Sequence, residues 1–127
     1  MGLFAYALPE NSILVTGARP VVGNVGVEPV ILRPVANPYS SLPTSTNISY
    51  DLSRDSNVTI EIYDSKNELV RVLDRGAARS AGRNTAVWDG RDEAGQLVGD
   101  GFHRIEIQAE FKNNYSDIAT GHSQVHY

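Results

Sequence analysis

A chain of 127 residues with 41% apolar and 20% charged side chains is long enough for one compact domain and too apolar to stay disordered. Its formal charge of −4, from 11 Lys and Arg against 15 Asp and Glu, argues against a nucleic-acid or anionic-membrane surface, which would need clustered cations. There is no cysteine, so neither a disulfide nor a thiolate metal site can hold the fold, and burial must do so.

The chain opens on MGLFAYALPE, whose apolar run from Gly2 to Leu8 has no basic residue before it. The run is far shorter than the ~20 residues of a membrane span, and it reads as neither a transmembrane helix nor a signal peptide. Residues 1–22 can be laid without gaps on 105–126: Ala5 falls on Ala109, Ser12 on Ser116, Thr16 on Thr120, Gly17 on Gly121 and Val21 on Val125, with Leu3 on Ile107 and Leu14 on Ile118. The start of the chain imitates the strands at its end. Residues 1–26 are therefore assigned to an N-terminal, strand-like extension and 27–127 to the domain proper.

Beyond Val21, the prolines Pro29, Pro34, Pro38 and Pro43 crowd one stretch. Proline donates no ladder hydrogen bond and is confined to sheet edges and connections. An irregular or edge strand is predicted around Val30 to Val35, then a loop through Pro43. From there, short alternating segments parted by Gly, Asn and Asp recur as in all-β sandwiches. In NISYDLS, Ile48, Tyr50 and Leu52 alternate. In NVTIEIY, Val58, Ile60 and Ile62 share one face while Thr59, Glu61 and Tyr63 share the other, the pattern of a half-buried strand. DSKN then turns the chain into ELVRVLD, whose apolar residues on both sides of Arg71 predict a hairpin partner with both faces partly covered. Arg75, Arg79 and Arg83 would line one helix face, but Gly76 and Gly82 break that helix, and a solvated loop is expected.

NTAVW brings Ala86 and the only tryptophan, Trp88, to one face. Between Trp88 and Phe102 lie Asp89, Asp92, Asp100 and the glycines Gly90, Gly95, Gly99 and Gly101. Such glycines accept positive φ, and the aspartates bond nearby backbone N–H groups. The link reads as a turn that reverses the chain so that the strands on either side pair as a hairpin, with Leu97 and Val98 tucked against the core. Phe102 to Phe111 is the clearest strand, with Ile105, Ile107, Ala109 and Phe111 inward against Arg104, Glu106, Gln108 and Glu110.

The segments from NISYDLS to ELVRVL, and then AGRNTAVWDGRDEAGQLVGDGFHRIEIQAE, resemble the immunoglobulin-like domain of flagellar hook-capping proteins, the FlgD type. The resemblance covers about Val30 to Tyr127. Its most specific element is Trp88-Asp89-Gly90-Arg91-Asp92 followed by Gly95 and Asp100-Gly101, and VANPYS at 35–40 is similar to the NPF that opens such domains. His103 departs from the tyrosine usual there. The resemblance implies an immunoglobulin-like β-sandwich of about seven antiparallel strands and supplies no catalytic residues.

The acidic loop invites a calcium reading, since hard cations want several oxygen ligands from a short segment. The spacing does not fit an EF-hand loop: Arg91 stands third from Asp89 and no glutamate stands twelfth. Trp88, Asp89, Gly90, Asp92, Gly95 and Gly101 are instead assigned to core and turn, with no metal, cofactor or catalytic group. His122 and His126 lie ~13 Å apart on one strand face, too far to share an ion, and with His103 they read as neutral structural or surface groups. No nucleophile–base set or phosphate loop is present, so an enzyme is not expected. Sequons at Asn47, Asn57 and Asn114 mark surface positions open to glycosylation where the source organism performs it.

Three roles follow from these residues. The leading one is an extracellular or cell-surface structural subunit, a virion surface included, which assembles with copies of itself by adding its N-terminal segment to a sheet edge. A chain opening on Met with an extension of strand length reads as a whole subunit. The alternatives are an accessory spacer, sorting or adhesion module of a larger secreted protein, and a carbohydrate binder using Tyr39, Tyr50, Tyr63 or Tyr115.

Overall fold

The computed structural model describes residues 21–35, 39, 41–111 and 115–127. Eight strands follow in chain order: β1 (Val22–Glu28), β2 (Ile31–Leu32), β3 (Thr46–Leu52), β4 (Ser56–Tyr63), β5 (Leu69–Arg79), β6 (Gly82–Trp88), β7 (Gly101–Phe111) and β8 (Tyr115–Val125). They form a three-stranded sheet, β1-β3-β6, and a five-stranded sheet, β2-β8-β7-β4-β5. All pairs are antiparallel except the short β2 against β8. This is the expected sandwich with one strand more, and the proline-rich stretch yields two residues of edge strand in place of the longer segment predicted. Among the described residues no helix is long and apolar enough to cross a membrane.

The period-2 segments become the core. Ile48 and Tyr50 of β3, Val58, Ile60 and Ile62 of β4, and Ile105, Ile107 and Ala109 of β7 have no exposed surface. In the large sheet, Val58 faces Ala109, Ile60 faces Ile107 and Ile62 faces Ile105, so apolar pairs stack across β4 and β7. Each such fully buried aliphatic side chain contributes roughly 1.5–3 kcal/mol relative to exposure. Leu32, Val125 and Trp88 belong to the same buried cluster.

β1 joins the two layers. At its start, the N–H groups of Val22 and of the preceding Val21 donate to Asp117 of β8 at 3.1 and 2.7 Å. The chain then pairs with β3, crosses at the cis Glu28–Pro29 bond, and reaches β8 as β2. The boundary expected after residue 26 falls within β1, whose first residues pair with Leu52 and Asp51. The rest of the N-terminal extension lies outside the described residues, as do most of VANPYS and Asn114.

Two expectations are corrected. Arg75 and Arg79 are not in a solvated loop: β5 continues to Arg79, paired with β4 through bulges that absorb the glycine, and Arg79 is held by Asp74 at 3.1 Å. Arg83 lies on β6. Nor does the Trp88–Phe102 link join a hairpin. β6 pairs with β3 and β7 pairs with β4 and β8, so the link crosses from one sheet to the other.

Candidate interaction surface

The crossover spends its turn-forming residues on a small hairpin of its own. Arg91 bridges Leu97, and Asp92 N–H donates to Gln96 O at 2.8 Å. The Asp92 carboxylate accepts the N–H groups of Ala94 and Gln96 at 3.0 and 2.9 Å, and Gly95 supplies a φ of 82°. The β4–β5 turn repeats this arrangement: Asp64 accepts from Lys66 and Glu68, both at 2.9 Å, and Asn67 supplies a φ of 66°. DSKNE and DEAGQ therefore share one pattern, aspartate followed after two residues by a left-handed residue and then a glutamate or glutamine. That pattern was readable in the sequence, and it marks a three-residue turn with a bulge.

The other acidic groups are similarly committed. Asp89 accepts the Arg91 N–H at 3.1 Å and a bond from Arg71 at 3.3 Å, and Asp100 accepts the Tyr127 N–H at 2.9 Å. Among the described residues no three His, Cys, Asp or Glu side chains gather where they could hold a metal ion. Trp88 has no exposed surface, and its Nε1–H donates to the Arg91 carbonyl at 3.1 Å. Val98 is buried as expected, whereas Leu97 stays 39% exposed.

His103 is the buried histidine of the three, with its ring centre 5.3 Å from that of Trp88. Burial pushes its pKa below the ordinary value, opposed by the Gly101 carbonyl at 3.1 Å and the charge of Asp64. The unfolded chain therefore takes up the proton first. Stability is full above about pH 6.5 and falls as the pH drops through that value toward the folded-state pKa. Replacing His103→Phe should flatten the urea-denaturation midpoint between about pH 7 and pH 5 relative to the parent chain; an unaltered slope would assign the dependence to other groups.

The four tyrosines considered as sugar platforms do not share a face. Tyr50 lies in the core, as its alternation with Ile48 and Leu52 requires, with its pKa raised by burial and by Asp74. Tyr63 donates to Glu61 at 3.0 Å beneath the Arg104 guanidinium, Tyr115 stacks on Phe111, and Tyr39 is 96% exposed. Asn47 and Asn57 are exposed.

What remains as a surface of interest is the set of strand edges, each with unpaired N–H and C=O groups that invite pairing unless something covers them. The β5 edge is occupied by the crossover: Glu93 N–H donates to Val70 O at 3.0 Å, and Val72 N–H donates to the Glu93 carboxylate at 2.7 Å. Nothing in the sequence signalled that contact. The β1 edge is broken by a bulge between Gly23 and Gly26, with Asn24 at φ 50°. β8 pairs with β2 only at Gln124 and Val125, and β1 closes over its middle, Val25 and Val27 standing where a side chain on Gly121 would go. Among the described residues β6 carries none of these devices, and its seven pairs with β3 run without a register shift.

Residues 39–113, more than half of the chain, match the family described as the FlgD Ig-like domain. Among solved structures, FlgD from Pseudomonas aeruginosa is similar with 26% identity and a TM-score of 0.54, over 63% of this chain and 61% of that one. FlgD from Xanthomonas campestris, described in connection with the hook capping essential for flagellar assembly, gives 24% identity and a TM-score of 0.52, over 61% of this chain and 56% of that one. Dimeric latent PorU from Porphyromonas gingivalis shares the fold at 21% identity and a TM-score of 0.60, over 85% of this chain but 9% of that one. The chain thus matches about three fifths of the length of each FlgD structure. No curated protein matches it.

Proposed function

The chain belongs to the FlgD Ig-like domain family, and from that membership we propose that it is a non-enzymatic structural subunit, working outside the cell or on its surface, which assembles with copies of itself into a filament or surface array. The observation that carries the reading is the crossover loop. The one place where the sequence concentrates ligand-type groups commits its carboxylates to backbone N–H groups and its indole to the core. The domain offers strand edges in place of a reaction site. Hook capping, described for the Xanthomonas protein, agrees with a structural role of this kind.

The assembling element is the segment before Val21. Val21 and Val22 are buried and bonded to Asp117, so a deletion that removes only this segment must stop at Pro20. The variant lacking residues 1–20 should stay folded, with buried-indole fluorescence, and sediment as a monomer at concentrations where the full chain associates. Association equal to the parent's would reject the reading. The second reading, an accessory module of a longer secreted protein, draws on PorU, of which this fold occupies 9% of the chain. A natural gene several times longer than this chain would favour it.

A further inference from the structure

We infer that the open edge of β6 is the acceptor for the N-terminal segment of a second copy, which joins the β1-β3-β6 sheet as a fourth strand; this rests on the assembly reading above and names its contact. The direction of the backbone groups follows from the hydrogen bonds. Ser53 N–H donates to Val21 O at 2.9 Å, so the odd-numbered residues of β3 face β1. The even-numbered residues Thr46, Ile48, Tyr50 and Leu52 then face β6, where they pair with Trp88, Ala86, Asn84 and Gly82. Between them, Arg83, Thr85 and Val87 turn their N–H and C=O groups to the open side.

Nothing described lies across that side. The Arg83 side chain is drawn back over the sheet, donating to Asn24 O at 2.7 Å, Asp51 at 3.1 Å and Ser49 Oγ at 2.7 Å. Thr85 and Val87 are exposed, Val87 by 58%, and both are β-branched residues suited to pairing. Every other long edge has a bulge, a docked loop or a crossing strand.

The occupant follows from where the chain leaves the domain. Twenty residues precede Val21, roughly 65 Å of extended chain at ~3.3 Å per residue. Val21, which they precede, stands at the β1 side of the sheet, and β6 is the opposite edge, two strand spacings or about 10 Å away. Donor root and acceptor on opposite edges make a heterologous contact, which repeats along a filament without needing to close. Within the segment, Ser12-Ile13-Leu14-Val15-Thr16 lies on Ser116–Thr120 of β8 in the alignment of the chain's two ends, and its apolar and β-branched residues suit a strand.

The test compares two proline substitutions in the full chain by sedimentation over a range of concentrations, with Trp88 fluorescence reporting the fold. Thr85→Pro removes an N–H that no internal bond uses and obstructs the β6 edge. Thr120→Pro does the same on β8, where Gln124 and His126 donating to β2 show that the even-numbered N–H groups face outward. The inference predicts that Thr85→Pro stays monomeric wherever the parent associates and that Thr120→Pro associates like the parent. Should Thr85→Pro fail to fold, the double variant Thr85→Lys/Val87→Lys keeps every backbone donor and is expected to block association in its place. Loss on Thr120→Pro alone would move the acceptor to β8 and overturn the inference while leaving the assembly reading intact. Loss on neither, with deletion of residues 1–20 still effective, would also overturn it. So would a parent that is monomeric throughout and destabilised by Thr85→Pro, since the segment would then pair within its own chain.

Discussion

Trp88→Ala should cost about 3–5 kcal/mol, the usual range for truncating a buried aromatic residue, and so leave little of the ~5–15 kcal/mol that holds a domain folded. Trp88 is the largest side chain with no exposed surface and stands where the small sheet ends and the crossover begins. Its removal opens a cavity against His103 and also deletes the bond from Nε1 to the Arg91 carbonyl, worth about 1 kcal/mol. Trp88→Phe keeps a ring and loses that bond, so its loss should be smaller. Urea denaturation followed by circular dichroism, which does not need the indole, measures both. An alanine variant with the parent's midpoint would mean that the ring is not packed between the sheets.

The second large effect is expected at Gly90. Its φ of 74° is a left-handed backbone, and an added Cβ would stand 2.2 Å from Pro34 Cγ and 2.7 Å from Pro34 Cβ. The conformation costs an L-residue about 1–2 kcal/mol and the overlap about 1–3 more, because a proline ring cannot swing aside. Gly90→Ala should therefore lose about 2–5 kcal/mol in the same assay. Gly95→Asn is the contrast. Gly95 has open space around it at φ 82°, and Asn67 already fills the equivalent place in the β4–β5 turn. That variant should lie within about 1 kcal/mol of the parent. Equal losses at the two glycines would show that backbone strain, and not the contact with Pro34, sets the cost.

Strands were legible wherever one face is buried, because period-2 alternation names the inward residues directly. Val58, Ile60, Ile62, Ile105 and Ile107 all follow it. Turn chemistry was legible too, but only as local reversal. Asp92 and Gly95 announce a tight turn without saying whether the flanking strands join one sheet or two, which is why the link at Trp88 read as a hairpin and is a crossover. Gly76 and Gly82 argue against a helix through Arg75, Arg79 and Arg83 but do not tell a loop from a strand; pairing with β4 and the Arg79–Asp74 contact carry β5 on to Arg79. The docking of Glu93 on β5 joins residues more than twenty positions apart through the backbone of β5, which carries no signature in side-chain pattern. The β6 edge, bare among the described residues, belongs to the same class: it follows from which strands are neighbours, and sequence periodicity does not determine that.

The claim that this domain is a self-assembling scaffold is tested most directly by electron microscopy of the purified full-length chain at increasing concentration. The account predicts filaments or ordered arrays whose length or extent grows with concentration. Isolated particles of single-domain size at every concentration would contradict it.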